Sequence, residues 1–382
     1  MNQERGSIMK AFLAGLLTFL TVFLALVLAL ACGGGGSAAV ANGRQQADDD
    51  NTDDDASPAD DDDNDDDDSW TQMDSGTTTA DLYAVWGSSV GNIFAVGQDE
   101  NSSTGVILYY DGTSWSAMTS PATQALYGVW GTAASDVFVV GTASATVGIL
   151  HYNGTSWSTM TGGTATAALH GIWGSSPSDV FAVGQDQKSN DAVILEYDGS
   201  SWSAMTTGTT GYVYLSGAWG SSSTDVYAVG EVGDPYAGSV AVAVLHYDGA
   251  SWTPITISTP AEFIGGVWGT SASDVYAAGS RSVASEVLHY DGTSWSTMSA
   301  AQVKNVGLVA VWVNSATDVF AAGSEIANGG TSVAGVIMHY DGTAWTETVI
   351  NATAALYGVW GSSASDVYCV GQSGVIVHYG PQ

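Results

Sequence analysis

Fourteen tryptophans divide the chain into a seven-fold beat of two alternating contexts. One set closes a short apolar run: Trp86, Trp130, Trp173, Trp219, Trp268, Trp312 and Trp360, six of them followed by glycine. The other set follows Ser or Ala: Trp70, Trp115, Trp157, Trp202, Trp252, Trp295 and Trp345. Successive members of the first set lie 44, 43, 46, 49, 44 and 48 residues apart. A period in this range, rich in β-forming residues, marks a repeat architecture in which each unit buries its apolar faces against its neighbours.

The second unit shows the pattern. Residues 126–130 form a short β run, Gly131 to Asp136 a turn, 137–141 a second run, 148–152 a third and 157–160 a fourth. The tight turn before the fourth run is Asn153-Gly154, and five other units have Asp-Gly there. Short β-branched and aromatic runs punctuated by Gly, Asp and Ser are antiparallel hairpin signals. Four such strands in a meander, repeated radially, make a blade. The expected fold is therefore all-β: a seven-bladed β-propeller of four-stranded antiparallel blades over residues 70–382. The last unit reaches Tyr379 and Gly380 after three strands, whereas residues 70–73 have fourth-strand character with no blade before them. Strand 70–73 is thus expected to join the last blade and close the ring, which removes an open edge. In this the chain resembles velcro-closed propellers of the WD-repeat type, and its Asp-Gly-Thr-Ser-Trp turn resembles the Asp-box of sialidase-type propellers. The span from Asp111 to Trp115 is one residue shorter than an Asp-box, and the WD dipeptide is missing. Fold resemblance alone assigns no function.

Two compositional zones precede the repeats. Residues 1–31 carry Arg5 and Lys10 before a long apolar run ending in Ala31-Cys32. A charged start, an apolar stretch and a small residue read as an export signal. The cysteine directly after Ala31 resembles a bacterial lipoprotein signal, which implies Cys32 as the lipidated first residue of the mature chain. The other reading is an uncleaved anchor, since about 20 apolar residues can span a bilayer. Both tether the chain to a membrane. By resemblance to lipoprotein sorting, Gly33 implies an outer-membrane destination in the cell envelope. Residues 32–69 follow as a Cys-anchored linker. Its segment 33–69 holds fourteen Asp, one Arg and a net charge of −13, and such a composition cannot offset its ordering entropy. At ~3.3 Å per residue it could reach roughly 120 Å. Calcium capture by its carboxylates is the alternative, although the Gly-punctuated spacing of a calcium loop is missing.

The repeat zone holds Lys188, Arg281 and Lys304 as its only Lys and Arg, against 24 acidic residues. A net charge of −21 disfavours nucleic acid as a partner. With Cys32 lipidated, Cys369 has no disulfide partner and reads as a small buried residue. Residues present in nearly every unit are expected to be structural. The tryptophans fill the space between sheets. The Asp before each second strand (Asp136, Asp179, Asp225, Asp274, Asp318, Asp366) suits a turn whose backbone N–H groups it accepts. His151, His246, His289, His339 and His378 share one third-strand position, where Tyr109 and Glu196 stand in two units. A per-blade sugar site built from this His, Asp, Ser/Thr and Trp set is the alternative.

Variation concentrates on the face formed by the loops between second and third strands and the connections between blades, the place where binding diversity normally lives. Candidate ligand-binding residues there are Asp99, Glu100, Asp186, Glu231, Asp234, Tyr236, Glu262 and Glu325, with Arg281 and Lys304 as scarce cations. The innermost strand carries a small residue at its crowded centre (Ala84, Gly128, Gly171, Gly217, Gly266, Ala310, Gly358). The residue before each reads Tyr83, Tyr127, His170, Ser216, Gly265, Val309 and Tyr357. Because blade seven adjoins blade one, Tyr357, Tyr83, Tyr127 and His170 are expected to form an aromatic arc beside the channel, suited to a sugar ring or a peptide.

Sialidase chemistry needs an arginine cluster that this zone does not have. No metal-binding His-Glu-x-x-His, Cys-x-x-Cys, nucleophile-elbow or phosphate-loop motif occurs. No catalytic residue, metal or cofactor is expected. The expected function is a membrane-tethered, monomeric binding propeller for an envelope or extracellular protein. Carbohydrate binding is the alternative, and a metal-dependent lactonase- or lyase-like enzyme, with Glu231 and Glu262 as nearest candidates, is a third reading.

Overall fold

A computed structural model describes residues 69–142, 148–162, 167–233, 240–259, 261–281, 284–298, 305–326, 332–350 and 354–380. The signal segment, Cys32, nearly all of the linker, Asp234, Tyr236 and Lys304 lie outside the described residues. The described chain folds into seven four-stranded antiparallel sheets. Six follow the chain order of a meander, as in blade one, with strands Ala80–Ser89, Asn92–Asp99, Gly105–Tyr110 and Trp115–Ala117. The seventh sheet holds Leu356–Ser363, Asp366–Gly371 and Ile376–Tyr379, with Trp70–Met73 as its outermost strand. Trp70 pairs with Tyr379 and Met73 with Ile376. The first strand of each blade runs on past its tryptophan, as in Leu126–Ala133, so the turn before the second strand is tighter than the sequence pattern implies.

The Trp-Gly dipeptide explains how blades dock. The ring of Trp130 in blade two lies over Gly174 of blade three, where an added Cβ would stand 2.6 Å from it. The same contact joins Trp86 to Gly131, Trp173 to Gly220, Trp219 to Gly269, Trp312 to Gly361 and Trp360 to Gly87, so it passes through the chain termini. Each of these six tryptophans is buried. Blade six breaks the rule: Val313 takes the glycine's place, and Trp268, the tryptophan facing that position, is left half-buried. The core divides at the same place, with a second cluster around Val306, Val311, Val313 and Val319.

The outer tryptophans set the second contact. Trp157, Trp202, Trp252 and Trp295 present their rings edge-on to Phe94, Phe138, Phe181 and Tyr227 of the preceding blade at 6.0–6.4 Å. Trp70 does the same to Phe320 at 6.4 Å, so it acts as the outer tryptophan of blade seven. Such edge-to-face pairs add roughly 0.5–1.5 kcal/mol each beyond the area they bury.

The inner strands crowd the axis. A Cβ on Gly171 would lie 2.8 Å from the Cα of Gly217, and one on Gly358 would lie 3.1 Å from the Cα of Ala84. The small residues are therefore demanded by backbone approach between neighbouring blades. Cys369 is fully buried, and burial pushes its thiol well above the ordinary range.

Candidate binding site at the channel mouth

Each inner strand has a β-bulge one residue before or at its small residue. The register shifts between Leu82 and Ala84, Leu126 and Gly128, Leu169 and Gly171, and at the matching place in the other four blades. The residue skipped by the ladder is Tyr83, Tyr127, His170, Ser216, Gly265, Val309 or Tyr357. A bulge re-aims its side chain away from the regular alternation. All seven line one cavity of about 160 Å³ at the axis.

The bulged aromatic residues meet ring to ring. Centroids lie 5.6 Å apart for Tyr357 and Tyr83, 5.3 Å for Tyr83 and Tyr127, and 4.7 Å for Tyr127 and His170. The arc then continues to Tyr214 of blade four, 4.7 Å from His170. The sequence reading stopped the arc at His170, because blade four offers Ser216 at the bulged position. Opposite the arc the ring is closed by backbone. Ser216 donates its hydroxyl to the Ile264 carbonyl at 2.6 Å, and a Cβ on Gly265 would stand 2.2 Å from the Val309 carbonyl. The mouth therefore has an aromatic side and a side that admits no large side chain.

Burial governs the chemistry of the arc. It holds the His170 imidazole down to about 3, so the ring is neutral. His170 Nδ1 is buried and has no hydrogen-bond partner. Burial also raises the hydroxyls of Tyr83, Tyr127, Tyr214 and Tyr357 above the usual phenol range. The carboxylates of Asp81 and Glu100 push Tyr83 and Tyr357 further in that direction. Glu100 is exposed at the mouth, its N–H bonded to the Thr79 carbonyl at 2.8 Å. Asp81 accepts a bond from Ser373 N–H of blade seven at 2.9 Å.

The loop candidates separate into different roles. Asp99 is committed to its own loop: it accepts Thr79 Oγ1 at 2.6 Å, Ser102 N–H at 2.8 Å and Ser102 Oγ at 2.9 Å. Asp186 accepts Lys188 and Ser189 N–H in the same manner. Glu231 belongs to strand Asp225–Val232 and is only 2 % exposed. It pairs across the sheet with Tyr214, leaves Oε1 without a partner, and burial lifts its carboxyl to about 7. Glu262 is half-buried, and Glu325 is exposed beside Val306 at a strand end. Neither adjoins the arc in sequence register. Asp81 and Tyr214 are the two mouth residues that sequence reasoning missed. Each stands two places before the bulged residue of its strand, Tyr83 and Ser216.

The opposite face is built from repeated polar groups, nearly all of them satisfied; Asp318 Oδ2 is buried without a partner. His151 Nε2 donates to Asp136 Oδ1 at 2.7 Å, and the ring stacks on Phe138 at 4.5 Å. Asp136 also accepts the Thr132 hydroxyl. The same unit recurs at His246–Asp225, His289–Asp274, His339–Asp318 and His378–Asp366 at 2.6–2.8 Å. This corrects the expectation for these aspartates: Asp136, Asp225, Asp274 and Asp366 bind a histidine and a hydroxyl, Asp179 a hydroxyl and Asp318 a histidine, rather than backbone N–H groups, because their side chains stand on the sheet face shared with the third strand. Burial pushes Asp274 and Asp366 up, but the hydroxyl and histidine bonds outweigh it and hold both below the usual range. In blade one Tyr109 donates to Asn92 instead, at 2.7 Å. Blade three places Glu196 beside Asp179, and burial together with that neighbour raises the Glu196 carboxyl. The Asp-Gly turns are satisfied locally: Asp111 accepts Thr113 and Ser114 N–H at 2.8 and 2.9 Å, and Gly112 takes a φ of 90°. Among the described residues no group of three or more His, Cys, Asp or Glu is placed to hold a metal. A larger cleft of about 560 Å³ lies at the outer edge between blades one and two, lined by Met118, Pro121, Tyr152 and Trp157, and has no charged side chain.

No known family profile matches the chain. No curated protein matches it either. Solved structures do share its fold. YCF48 bound to D1 peptide matches at 15 % identity and a TM-score of 0.58, over 82 % of this chain and 97 % of that one. A streptogramin B lyase matches at 9 % identity and a TM-score of 0.61, over 81 % and 97 %. The GH74 enzyme of Niastella koreensis matches at 13 % identity and a TM-score of 0.59, over 79 % of this chain and 52 % of that one. At these identities the likeness is one of fold, and the chain is a seven-bladed β-propeller.

Proposed function

We propose that this chain is an exported, membrane-tethered binding module that engages a protein through the channel-mouth face of its propeller. The tether is Cys32, and residues 33–69 act as the spacer that holds the propeller away from the envelope membrane. The observation that carries the reading is the asymmetry of the mouth: five aromatic rings in contact on one side, backbone closure on the other. Packing alone would repeat around the ring, as the tryptophan contacts do. The likeness to a propeller bound to a peptide adds support at the level of fold. A glycan is the second reading, favoured by the same rings, since aromatic faces also stack on sugars.

The test uses the full-length chain in detergent micelles as bait for envelope proteins, in parallel with a glycan array. Recovery of one partner that is lost on Tyr83→Ala or Glu100→Lys, and kept on Thr113→Lys at the opposite face, supports the reading. Saturable glycan binding lost on Tyr83→Ala, with no protein recovered, replaces it with the carbohydrate reading. Partner recovery unaffected by both mouth substitutions contradicts it.

A further inference from the structure

The mouth combines two features that suit one kind of occupant. The first is a continuous aromatic wall running from Tyr357 to Tyr214, with its rings 4.7–5.6 Å apart. The second is negative charge at the rim. Register pairing of Ala80 with Asp99 brings Glu100 to the start of the inner strand that carries Asp81 and Tyr83. Glu100 N–H bonds the Thr79 carbonyl beside that strand start, and its charge raises the hydroxyls of Tyr83, Tyr127 and Tyr357. Asp81 acts on Tyr83 and Tyr357 from the blade-seven side. Burial, and then the charges of Asp81 and Asp99, raise the Glu100 carboxyl. A cation seated between the rings and these two carboxylates relieves that repulsion and meets the negative faces of the rings. The His170 ring, being neutral, adds no opposing charge. The axial cavity of about 160 Å³, lined by Tyr83, Tyr127, His170 and Tyr357 but not by the two carboxylates, has room for one long side chain, equal to about five waters at ~30 Å³ each.

We infer that the channel mouth is an anchor site for a single basic side chain, lysine or arginine, presented by the partner protein. This rests on the protein-binding reading above and narrows it to a partner that offers a cation. The net charge of −21 over residues 70–382 attracts such a partner at long range, whereas the arc and the rim carboxylates select the side chain at contact.

The experiment uses the full-length chain in detergent micelles at physiological salt. The probes are a blocked Gly-Gly-Lys-Gly-Gly peptide and its norleucine counterpart, followed by saturation-transfer NMR. The lysine peptide is expected to bind at least tenfold more tightly than the norleucine peptide. Glu100→Gln with Asp81→Asn should weaken it at least fivefold and leave the norleucine peptide unchanged. Tyr83→Ala should abolish the preference, and Tyr83→Phe, which keeps the aromatic face and guards against misfolding, should retain it. Equal binding of the two peptides overturns the inference. So does lysine binding that survives all these substitutions, because it then resides in the acidic segment 33–69. No lysine preference in the unsubstituted chain, with partner recovery still lost on Tyr83→Ala, removes the cationic anchor and leaves the protein-binding reading standing; no preference together with partner recovery unaffected by Tyr83→Ala removes both.

Discussion

The two faces of this propeller use the same residue types to opposite ends. On the turn face, Asp136 binds His151 and Thr132, and Asp111 binds the backbone of its own turn. Five blades repeat the His–Asp unit, so these polar groups are spent on the fold. On the mouth face the symmetry fails. Rings gather on blades seven to four, Glu231 Oε1 and His170 Nδ1 are buried without partners, and the charges of Asp81 and Glu100 raise the Tyr83 hydroxyl. In a repeat protein, what recurs reports on packing, and what departs from recurrence while remaining ordered reports on use.

That contrast breaks first at the framework. Trp130→Ala removes a buried ring from a blade seam and should cost ~3–5 kcal/mol in unfolding free energy by denaturant titration. Gly174→Ala, which drives a Cβ toward that ring, should cost ~1–3 kcal/mol alone and markedly less when combined with Trp130→Ala. Full additivity of the two would mean that the Trp-Gly contact does not couple the blades.

The second prediction concerns Glu231. Its carboxyl is raised to about 7 in the folded chain, against an ordinary value of 4.5. The folded state thus holds a proton that the unfolded state releases, and stability falls as pH rises through this window. The contribution is fully present below about pH 4.5 and lost as pH passes about 7, amounting to ~3 kcal/mol at most. Glu231→Gln should flatten this part of the stability profile and be the more stable form at pH 8. A wild-type profile unchanged by the substitution contradicts the buried, unpaired carboxyl.

The smallest effect belongs to blade three, where the turn-face unit lacks its histidine. Glu196→His should let the new ring donate to Asp179, as His151 does to Asp136, and add ~0.5–1.5 kcal/mol. A loss of stability would show that Glu196 is held there for another purpose.

Much of this molecule is legible in its sequence, for identifiable reasons. Tryptophans spaced by one blade, and the glycine after six of them, follow from one repeated contact, so a count of one gives the other. Val313 marks from sequence alone the seam that the structure shows to be looser. Tyr83, Tyr127, His170 and Tyr357 could be found because each precedes a small residue that inter-blade crowding demands. Tyr214 could not, because it stands two places before the bulged Ser216, where blades one, two, three and seven carry Asp81, Ala125, Ala168 and Ala355 and no aromatic pattern shows. Glu231 reads as a loop residue, yet strand Val213–Ser222 is ten residues long and carries its partner strand out to Val232, which buries it. Asp99 and Asp186 look like free carboxylates, and only coordinates reveal that loop backbone N–H groups consume them.

The most direct test of the functional division between the faces is site-specific photocrosslinking in the intact envelope. A photoreactive phenylalanine placed at position 100 reports on the mouth, and one at position 113 reports on the turn face. The expected result is a discrete crosslinked protein from position 100, competed by the lysine pentapeptide, and none from position 113. A discrete product from position 113 with none from position 100 would contradict the assignment of the binding role to the mouth.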